Sequence, residues 1–288
     1  MSTATTTTMP ETEWVPAGDV VANLNFYAPP ADGSRPFNYI GTPPAGQPAT
    51  NFGDDAHAVR IHDLRGREVA PSLDKEAFAF HPIPTALSYD DFGDDGKITS
   101  TYYDEIRALV RAHVADAREV LIFDHTVRRS GPLAARGPVQ RVHIDQTPRS
   151  AAARLRRHFS RERADELVAA GTRFQIVNVW RPINGVVVSD PLAFADSSSV
   201  REDDLVGVAH IYPEYEGEIA AVAHNPQQQW WYVSGQTGDE VALIKCFDSR
   251  VGDAGARRRV PHSAFVHPGT PAGARGRESI EVRCLVVG

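Results

Sequence analysis

The sequence is poor in cysteine and in lysine. Its 288 residues include two cysteines, Cys246 and Cys284, which lie far apart and form no Cys-x-x-Cys pair. This excludes a disulfide framework and a thiolate zinc site. Only three of the 30 basic residues are lysines, and 37 acidic residues leave a formal net charge of -7. A dedicated nucleic-acid binder needs a basic surplus for phosphate contacts, so the charge argues against nucleic acid as a partner.

Long hydrophobic runs are also absent. No stretch approaches the roughly 20 apolar residues that span a bilayer. Residues 1–10 lack the basic start and the apolar core of a signal peptide. We therefore expect a cytoplasmic protein with no membrane partner.

Glycine and proline, by contrast, are spread along the whole chain, with 22 and 21 residues. This pattern favours many turns between short elements and so a β-rich fold. Residues 1–98 are the richest in proline, glycine and aspartate, with short alternating segments at 23–27, 58–62 and 76–80 that are typical of edge strands. We expect this N-terminal region to pack as a cover on a core formed by residues 99–288, within one structural domain.

The core begins with helical periodicity and continues as strands. An apolar face at a 3.6-residue period predicts a helix over about 99–117, with Thr101 and Asp104 as a capping box. A second helix is predicted over 149–170, ending at Gly171. Strand patterns follow at 119–124, 139–145, 174–180, 205–211, 218–224, 230–233, 240–247 and 279–287. This order predicts a mainly β fold with flanking helices, a sandwich or barrel of the jelly-roll type.

One histidine has a carboxylate two positions further on. Among the eleven histidines only His143 is followed at that spacing by an acidic residue, Asp145. On a strand the two side chains project from the same face and can hold one side of a metal ion. A facial triad of two histidines and one carboxylate leaves positions open for O2 and a co-substrate. His262, just before the last strand, is the best candidate for the third ligand, because a jelly roll pairs strands that are distant in sequence.

The last strand carries a possible anion site. Arg277 and Ser279 share one strand face, where a guanidinium fork and a hydroxyl could hold the far carboxylate of a dicarboxylate co-substrate. Arg181 and Lys245 are alternative anchors. The polar face of the strand, which also contains Glu281, lines a cavity or faces water; its apolar face consists of Ile280, Val282, Cys284 and Val286.

Aromatic residues are clustered in two of the predicted strands. Trp180, Trp231 and Tyr232 could form a wall against an organic substrate, although such residues are most often part of the core.

The order His-x-Asp, distal His and Arg-x-Ser resembles the Fe(II)/2-oxoglutarate-dependent oxygenases, whose core is a cupin-like double-stranded β-helix. A closer likeness is to the secondary-metabolite hydroxylase/desaturase family, which includes gibberellin desaturase-like proteins and the small component of 7α-cephem methoxylation. It covers most of the chain through VHIDQ at 142–146, QIVNVWRPI at 175–183, DPL at 190–192, WY at 231–232, KCFDS at 245–249, PHSAF at 261–265 and RESIEVR at 277–283.

The resemblance implies that Fe(II) binds to His143, Asp145 and His262, and that 2-oxoglutarate lies near Arg277 and Ser279. It also implies O2 as a co-substrate and a small molecule, a secondary metabolite, that is hydroxylated or desaturated at a C–H bond. Two alternatives remain open at this point. One is a non-redox cupin-like metalloenzyme, a hydrolase or isomerase, and the other is an accessory component that acts with a partner enzyme.

Overall fold

Two β-sheets and a helical layer form the framework of the protein, seen in a computed structural model. The structure describes residues 14–68, 70–131, 137–250 and 259–288. In chain order the strands are β1 (Val20–Ala28), β2 (Phe37–Tyr39), β3 (Gly53–Asp63), β4 (Phe78–Pro82), β5 (Glu119–Arg128), β6 (His143–Ile144), β7 (Phe174–Pro182), β8 (Leu192–Ala195), β9 (Leu205–Ile211), β10 (Glu216–Val222), β11 (Trp230–Tyr232), β12 (Glu240–Asp248), β13 (His262–Ala264) and β14 (Ser279–Val287). The α-helices are α1 (Asp95–Lys97), α2 (Tyr103–His113), α3 (Pro148–His158) and α4 (Arg161–Ala169).

The strand order joins segments that are far apart in sequence. A nine-stranded sheet runs β1-β3-β11-β8-β13-β6-β10-β9-β2, and a five-stranded sheet runs β4-β12-β7-β14-β5. In the first sheet β6 lies between β13 and β10, and both of these strands are more than seventy residues away from β6 in the sequence. The prediction of a mainly β jelly roll with flanking helices is confirmed.

The two faces of the five-stranded sheet have different neighbours. On β7 the side chains of Val177 and Val179 pack with Ile106 and Leu109 of α2. The alternate residues Ile176 and Trp180 instead pack toward the nine-stranded sheet. Because successive strand residues point to opposite faces, position parity decides whether a side chain of this sheet meets the helical layer or the interior between the sheets.

The predicted helices are only partly correct. The first begins earlier than predicted, since Asp94 caps α1 and a π-helical segment, Ile98–Tyr102, leads directly into α2. The predicted capping box at Thr101 is therefore wrong, because this residue lies inside a continuous run of helical turns. The second predicted helix is two helices, α3 and α4, because the Ser160 side chain accepts a hydrogen bond from the backbone N–H of Arg163 and starts a new helix.

Strand boundaries differ mainly where the strands are short. Strands β2, β8 and β13 have three or four residues, too few for an alternating pattern to stand out in the sequence. β6 is also much shorter than the predicted strand over 139–145.

Residues from the N-terminal region extend both sheets. β1 pairs with β3, β3 runs parallel to β11, and β4 pairs with the edge of β12. Its predicted role as a cover over the core stays a prediction. None of the helices in the described residues combines the length and the hydropathy required to cross a membrane.

Candidate metal centre

The predicted ligand triad comes together on two neighbouring strands. His143 begins β6, His262 begins β13, and the two residues lie directly opposite each other in the antiparallel pairing. Asp145 follows β6, with its Oδ1 atom 3.3 Å from Nε2 of His143. One ligand atom from each of the three residues lies within 4.8 Å of the others, a separation that a shared metal ion can bridge.

The ring orientations of both histidines are set by the backbone. Nδ1 of His143 lies 2.8 Å from the carbonyl oxygen of Arg141, and Nδ1 of His262 lies 3.2 Å from that of Val260. A carbonyl only accepts hydrogen bonds, so each Nδ1 carries the proton and donates it. When the ring is neutral, each Nε2 then has a lone pair for a metal, which is the arrangement typical of histidine ligands.

The carboxylate of Asp145 is held through its other oxygen. Oδ2 accepts a hydrogen bond of 2.7 Å from Nδ2 of Asn178 and a longer one of 3.3 Å from Nε of Arg283. Burial raises the pKa of Asp145, but the hydrogen bond with His143 and the charge of Arg283 outweigh burial and hold this pKa well below its usual range. Oδ1 is therefore an ionised oxygen that remains available to a metal.

The donor set fits Fe(II). Burial, followed by the nearby charge of His143, lowers the pKa of His262, which favours the neutral ring that a metal needs. For His143 burial acts in the same direction, but the hydrogen bond with Asp145 outweighs it and raises the pKa, so metal binding would displace a proton shared by this pair. Two imidazole nitrogens and one carboxylate oxygen form the set that non-haem iron oxygenases use with open positions for reactants.

A second layer of polar side chains comes from the facing sheet. Asn178 on β7 donates from the same Nδ2 to Glu281 on β14 at 2.8 Å. Arg283 donates to Glu281 at 2.6 Å and to Asp124 at 2.9 Å. The polar face of β14 thus lines the interior, which settles the alternative that the sequence left open. Sequence reasoning gave no role to Asn178. Asn178 and Trp180 are two positions apart on the predicted strand, so the sequence already placed both on one face.

Arg277 lines a small cavity together with the three predicted metal ligands. The cavity has a volume of about 50 Å³ and its lining includes His143, Asp145, His262, Trp180 and Arg277. Arg277 is only 5% exposed, and burial lowers its pKa to about 10. Its guanidinium lies 5.2 Å from the centre of the Trp180 ring and donates to the Asp190 carbonyl at 2.7 Å. Its Nε has no hydrogen-bond partner among the described residues.

A larger cavity also reaches the triad. It has a volume of about 630 Å³ and contains His143 and Asp145 in its wall. Residues of the N-terminal region contribute Asn38, Ile40 and Phe52 to the same wall. This cavity has room for an organic molecule next to the metal ligands.

The other predicted anchors lie elsewhere. Arg181 lies on the same face of β7 as Val177 and Val179, which packs against the helical layer, and it donates to the hydroxyl of Tyr102 at 3.0 Å. Lys245 forms ion pairs of 3.0 Å with Asp74 and Asp248. The side chains of Arg181 and Lys245 are both fully buried and line neither of the two cavities at the triad. Ser279 is buried at the start of β14 and also lines neither cavity.

Of the three predicted substrate residues, the structure brings only Trp180 to the triad. Trp231 lines a separate cavity of about 480 Å³, where the guanidinium of Arg67 lies 5.5 Å from its ring centre. Tyr232 is buried and donates its hydroxyl hydrogen to the carbonyl of Gly18 at 2.7 Å. Both residues belong to β11, which pairs with β3 and β8 rather than with a ligand strand. Neither residue lines the two cavities at the triad, and their role in substrate binding stays a prediction.

Comparisons with known proteins agree with this geometry. A family described as YDMC, an oxidoreductase/YMDC permease-like domain, matches residues 24–287. The hydroxylase/desaturase poxK of Penicillium oxalicum is 30% identical, over 94% of this chain and 92% of its own. The Fe(II)/2-oxoglutarate-dependent dioxygenase nvfI of Aspergillus novofumigatus is 33% identical, over 93% and 96%. A solved structure of the iron and alpha-ketoglutarate-dependent endoperoxidase NvfI aligns with a TM-score of 0.81 at 30% identity, covering 94% of this chain and 98% of that one.

Proposed function

Because the chain belongs to the Fe(II)/2-oxoglutarate-dependent dioxygenases, we propose that it oxidises a C–H bond of a small secondary metabolite, by hydroxylation or desaturation, at iron held by His143, Asp145 and His262. Fe(II), 2-oxoglutarate and O2 are the cofactor and co-substrates of this family. The names of several relatives, such as hydroxylase/desaturase poxK and efuI, support the reaction type. They do not favour a non-redox metalloenzyme or an accessory component.

The observation that carries this proposal is the pair of matching hydrogen bonds behind the histidines. The carbonyls of Arg141 and Val260 fix both rings with Nε2 available. Asn178 and Arg283 hold the second oxygen of Asp145, so the carboxylate cannot rotate freely. When bound, the iron supplies the oxidative chemistry that couples decarboxylation of 2-oxoglutarate to oxidation of the substrate. The protein orders the ligands before the metal arrives, which lowers the cost of binding it.

Arg277 is the anchor that we assign to 2-oxoglutarate. It is a buried cation in the triad cavity and has no carboxylate within ion-pair distance among the described residues. A buried charge without a counterion is unfavourable, and a bound carboxylate would supply one. Arg181 and Lys245 line neither cavity at the triad, so a ligand there does not reach them. Arg181 donates to the Tyr102 hydroxyl and the Gly238 carbonyl, and Lys245 pairs with two carboxylates. We assign no contact with 2-oxoglutarate to Ser279.

The larger cavity is the proposed substrate site. Asn38, Ile40 and Phe52 in its wall come from the N-terminal region, which would therefore help to exclude water from the reacting centre. A cytoplasmic location is consistent with the scarcity of cysteine and remains part of this proposal.

The test is succinate formation by the purified protein with Fe(II), ascorbate and 2-oxoglutarate. We expect O2-dependent succinate, and we expect His143→Ala to abolish it together with Fe(II) binding. His224→Ala is the matched control, because His224 stacks on His57 at 3.7 Å and lines neither cavity. Undiminished turnover in His143→Ala would refute the ligand assignment. Zinc in the purified protein without 2-oxoglutarate binding would refute the reaction class.

A further inference from the structure

Two cavities share a wall next to Asp145. The larger one is the cavity of about 630 Å³ described above. The other is a third cavity of about 120 Å³, distinct from the small cavity that contains Arg277. Both contain Asp145, Gln146, Arg154, His210, Tyr212 and Tyr215. This shared wall places the smaller cavity next to the one that contains the metal ligands His143 and Asp145.

Arg154 is a partly buried cation in this shared wall. It lies on α3, with its guanidinium carbon 4.7 Å from the centre of the Phe123 ring. Burial lowers its pKa, as expected for a cation that has lost part of its hydration. Within the described residues it makes no ion pair or hydrogen bond to a side chain or carbonyl. The guanidinium carbon of the neighbouring Arg157 lies 4.0 Å from the centre of the Tyr215 ring.

The carboxylates that line the two cavities already have other partners. Asp124 and Asp145 both accept hydrogen bonds from Arg283. Glu216 pairs with Arg35 at 2.8 Å, and Glu218 accepts from the hydroxyl of Thr147. Among the described residues no carboxylate therefore lies within ion-pair distance of Arg154, and Asp124, whose charge acts on it, is hydrogen-bonded to Arg283.

We propose that the substrate carries a carboxylate, and that this group pairs with Arg154 while the rest of the molecule fills the larger cavity beside the metal ligands. This inference rests on the proposed function, and it names the substrate class of the same site. The guanidinium fork matches a planar carboxylate with two parallel hydrogen bonds. The aromatic rings of Tyr212 and Tyr215, stacked at 4.4 Å on the turn between β9 and β10, would cover the apolar part of an acid next to its charged end.

The experiment is a fluorescence or calorimetric titration that requires no turnover. The probes are benzoate, 2-naphthoate and 9-anthroate, each beside its neutral primary amide, with excess 2-oxoglutarate present so that the acids do not report on Arg277. We expect the best acid to bind about tenfold more tightly than its amide, the effect of a charged hydrogen-bonded pair at a partly exposed site. Arg154→Met should remove this preference, and Arg154→Lys should keep part of it.

Arg156→Met is the matched control, because Arg156 lies on the exposed face of the same helix, 3.6 Å from Asp165. It should keep the acid preference. The inference is overturned if no acid binds better than its amide, or if the preference for the acid survives in Arg154→Met. It is also overturned if the unaltered protein prefers the acid without 2-oxoglutarate but loses this preference when 2-oxoglutarate is in excess. A preference without succinate formation would refute the proposed reaction alone, and succinate formation without a preference would refute the acidic substrate alone.

Discussion

Replacing Arg277 by methionine tests whether this cation binds a ligand or stabilises the fold. In the described structure the guanidinium is 5% exposed, donates to one carbonyl, and leaves Nε without a partner. If Arg277 holds the far carboxylate of 2-oxoglutarate, the variant loses affinity for that co-substrate. It should lose little or no stability in the ligand-free protein, because methionine is close in length and carries no charge to bury.

The magnitudes follow from the burial of the charge. Lowering the pKa of Arg277 from 12.5 to about 10 corresponds to a cost of about 3 kcal/mol for keeping the cation in the folded protein. Methionine removes this cost but also removes the hydrogen bond to Asp190 and the contact with Trp180, which are together worth about 2 kcal/mol. The free energy of unfolding should therefore change by no more than about 1 kcal/mol. The loss of two charged hydrogen bonds to 2-oxoglutarate should raise its KM roughly 100-fold.

The assay is succinate formation as a function of 2-oxoglutarate concentration, paired with urea unfolding of the ligand-free protein. Lys245→Met is the control with the opposite pattern. Lys245 shares the buried Asp248 with Arg173, so its loss should lower the free energy of unfolding by about 2 kcal/mol without changing the KM for 2-oxoglutarate. An unchanged KM in Arg277→Met, or a raised KM in Lys245→Met with a normal Arg277→Met, would refute the anchor assignment.

Two further predictions concern neighbouring positions. Asn178→Leu should lower Fe(II) affinity 10- to 100-fold in equilibrium dialysis, because it removes the 2.7 Å hydrogen bond that holds Asp145; affinity equal to that of the unaltered protein would contradict a positioning role. Burial raises the pKa of Glu278, but hydrogen bonds from Arg129, Tyr89 and Ser130 outweigh it and hold this pKa at about 2, below the 4.5 of an unperturbed glutamate. The contribution of the Glu278 carboxylate to the free energy of unfolding is therefore complete above pH 4.5 and is lost as the pH falls toward 2. Glu278→Gln should lower the free energy of unfolding at pH 7 by about 2 kcal/mol, less than the full pKa shift implies because solvent screens part of the interaction. This difference should disappear over the same pH range in acid unfolding curves, and a difference independent of pH would contradict the assignment.

The metal ligands could be predicted from the sequence because their spacing obeys strand geometry. His143 and Asp145 stand two positions apart, so one extended segment presents both to the same side. The pairing of His262 with His143 depended on the fold, since β13 has only three residues and no alternation of its own. The order of the motifs along the chain supplied the information that local periodicity could not.

The residues around the ligands were harder to predict because their roles depend on contacts between sheets. Asn178 and Glu281 lie more than a hundred positions apart and meet only because β7 and β14 are neighbours. Nothing in the local pattern of β7 distinguishes an amide that binds a metal-ligand carboxylate from one that simply fills a polar position. For the same reason Trp231 and Tyr232 looked equivalent to Trp180, although they lie on β11 of the nine-stranded sheet and Trp180 lies on β7 of the five-stranded sheet.

The cations of this arginine-rich chain show what the structure adds to such patterns. Arg181, Lys245 and Arg277 are all buried, and the sequence places Arg277 first only through the Arg-x-Ser motif, since burial alone does not rank the three cations. Partners do rank them, because desolvating a cation is costly unless an acceptor or counterion lies beside it. Arg181 has a hydroxyl and a carbonyl as acceptors, and Lys245 has two carboxylates, and neither residue lines a cavity at the triad. Arg277 lines the cavity at the metal ligands, with one carbonyl as acceptor and no carboxylate within ion-pair distance among the described residues. Arg154 also has no carboxylate within ion-pair distance among the described residues, and it lines different cavities that Asp145 also lines. If both cations bind carboxylates, the co-substrate and the substrate are each held by a charge in a separate cavity next to one metal ligand, and the C–H bond that reacts is determined by the length of the acid between Arg154 and the iron.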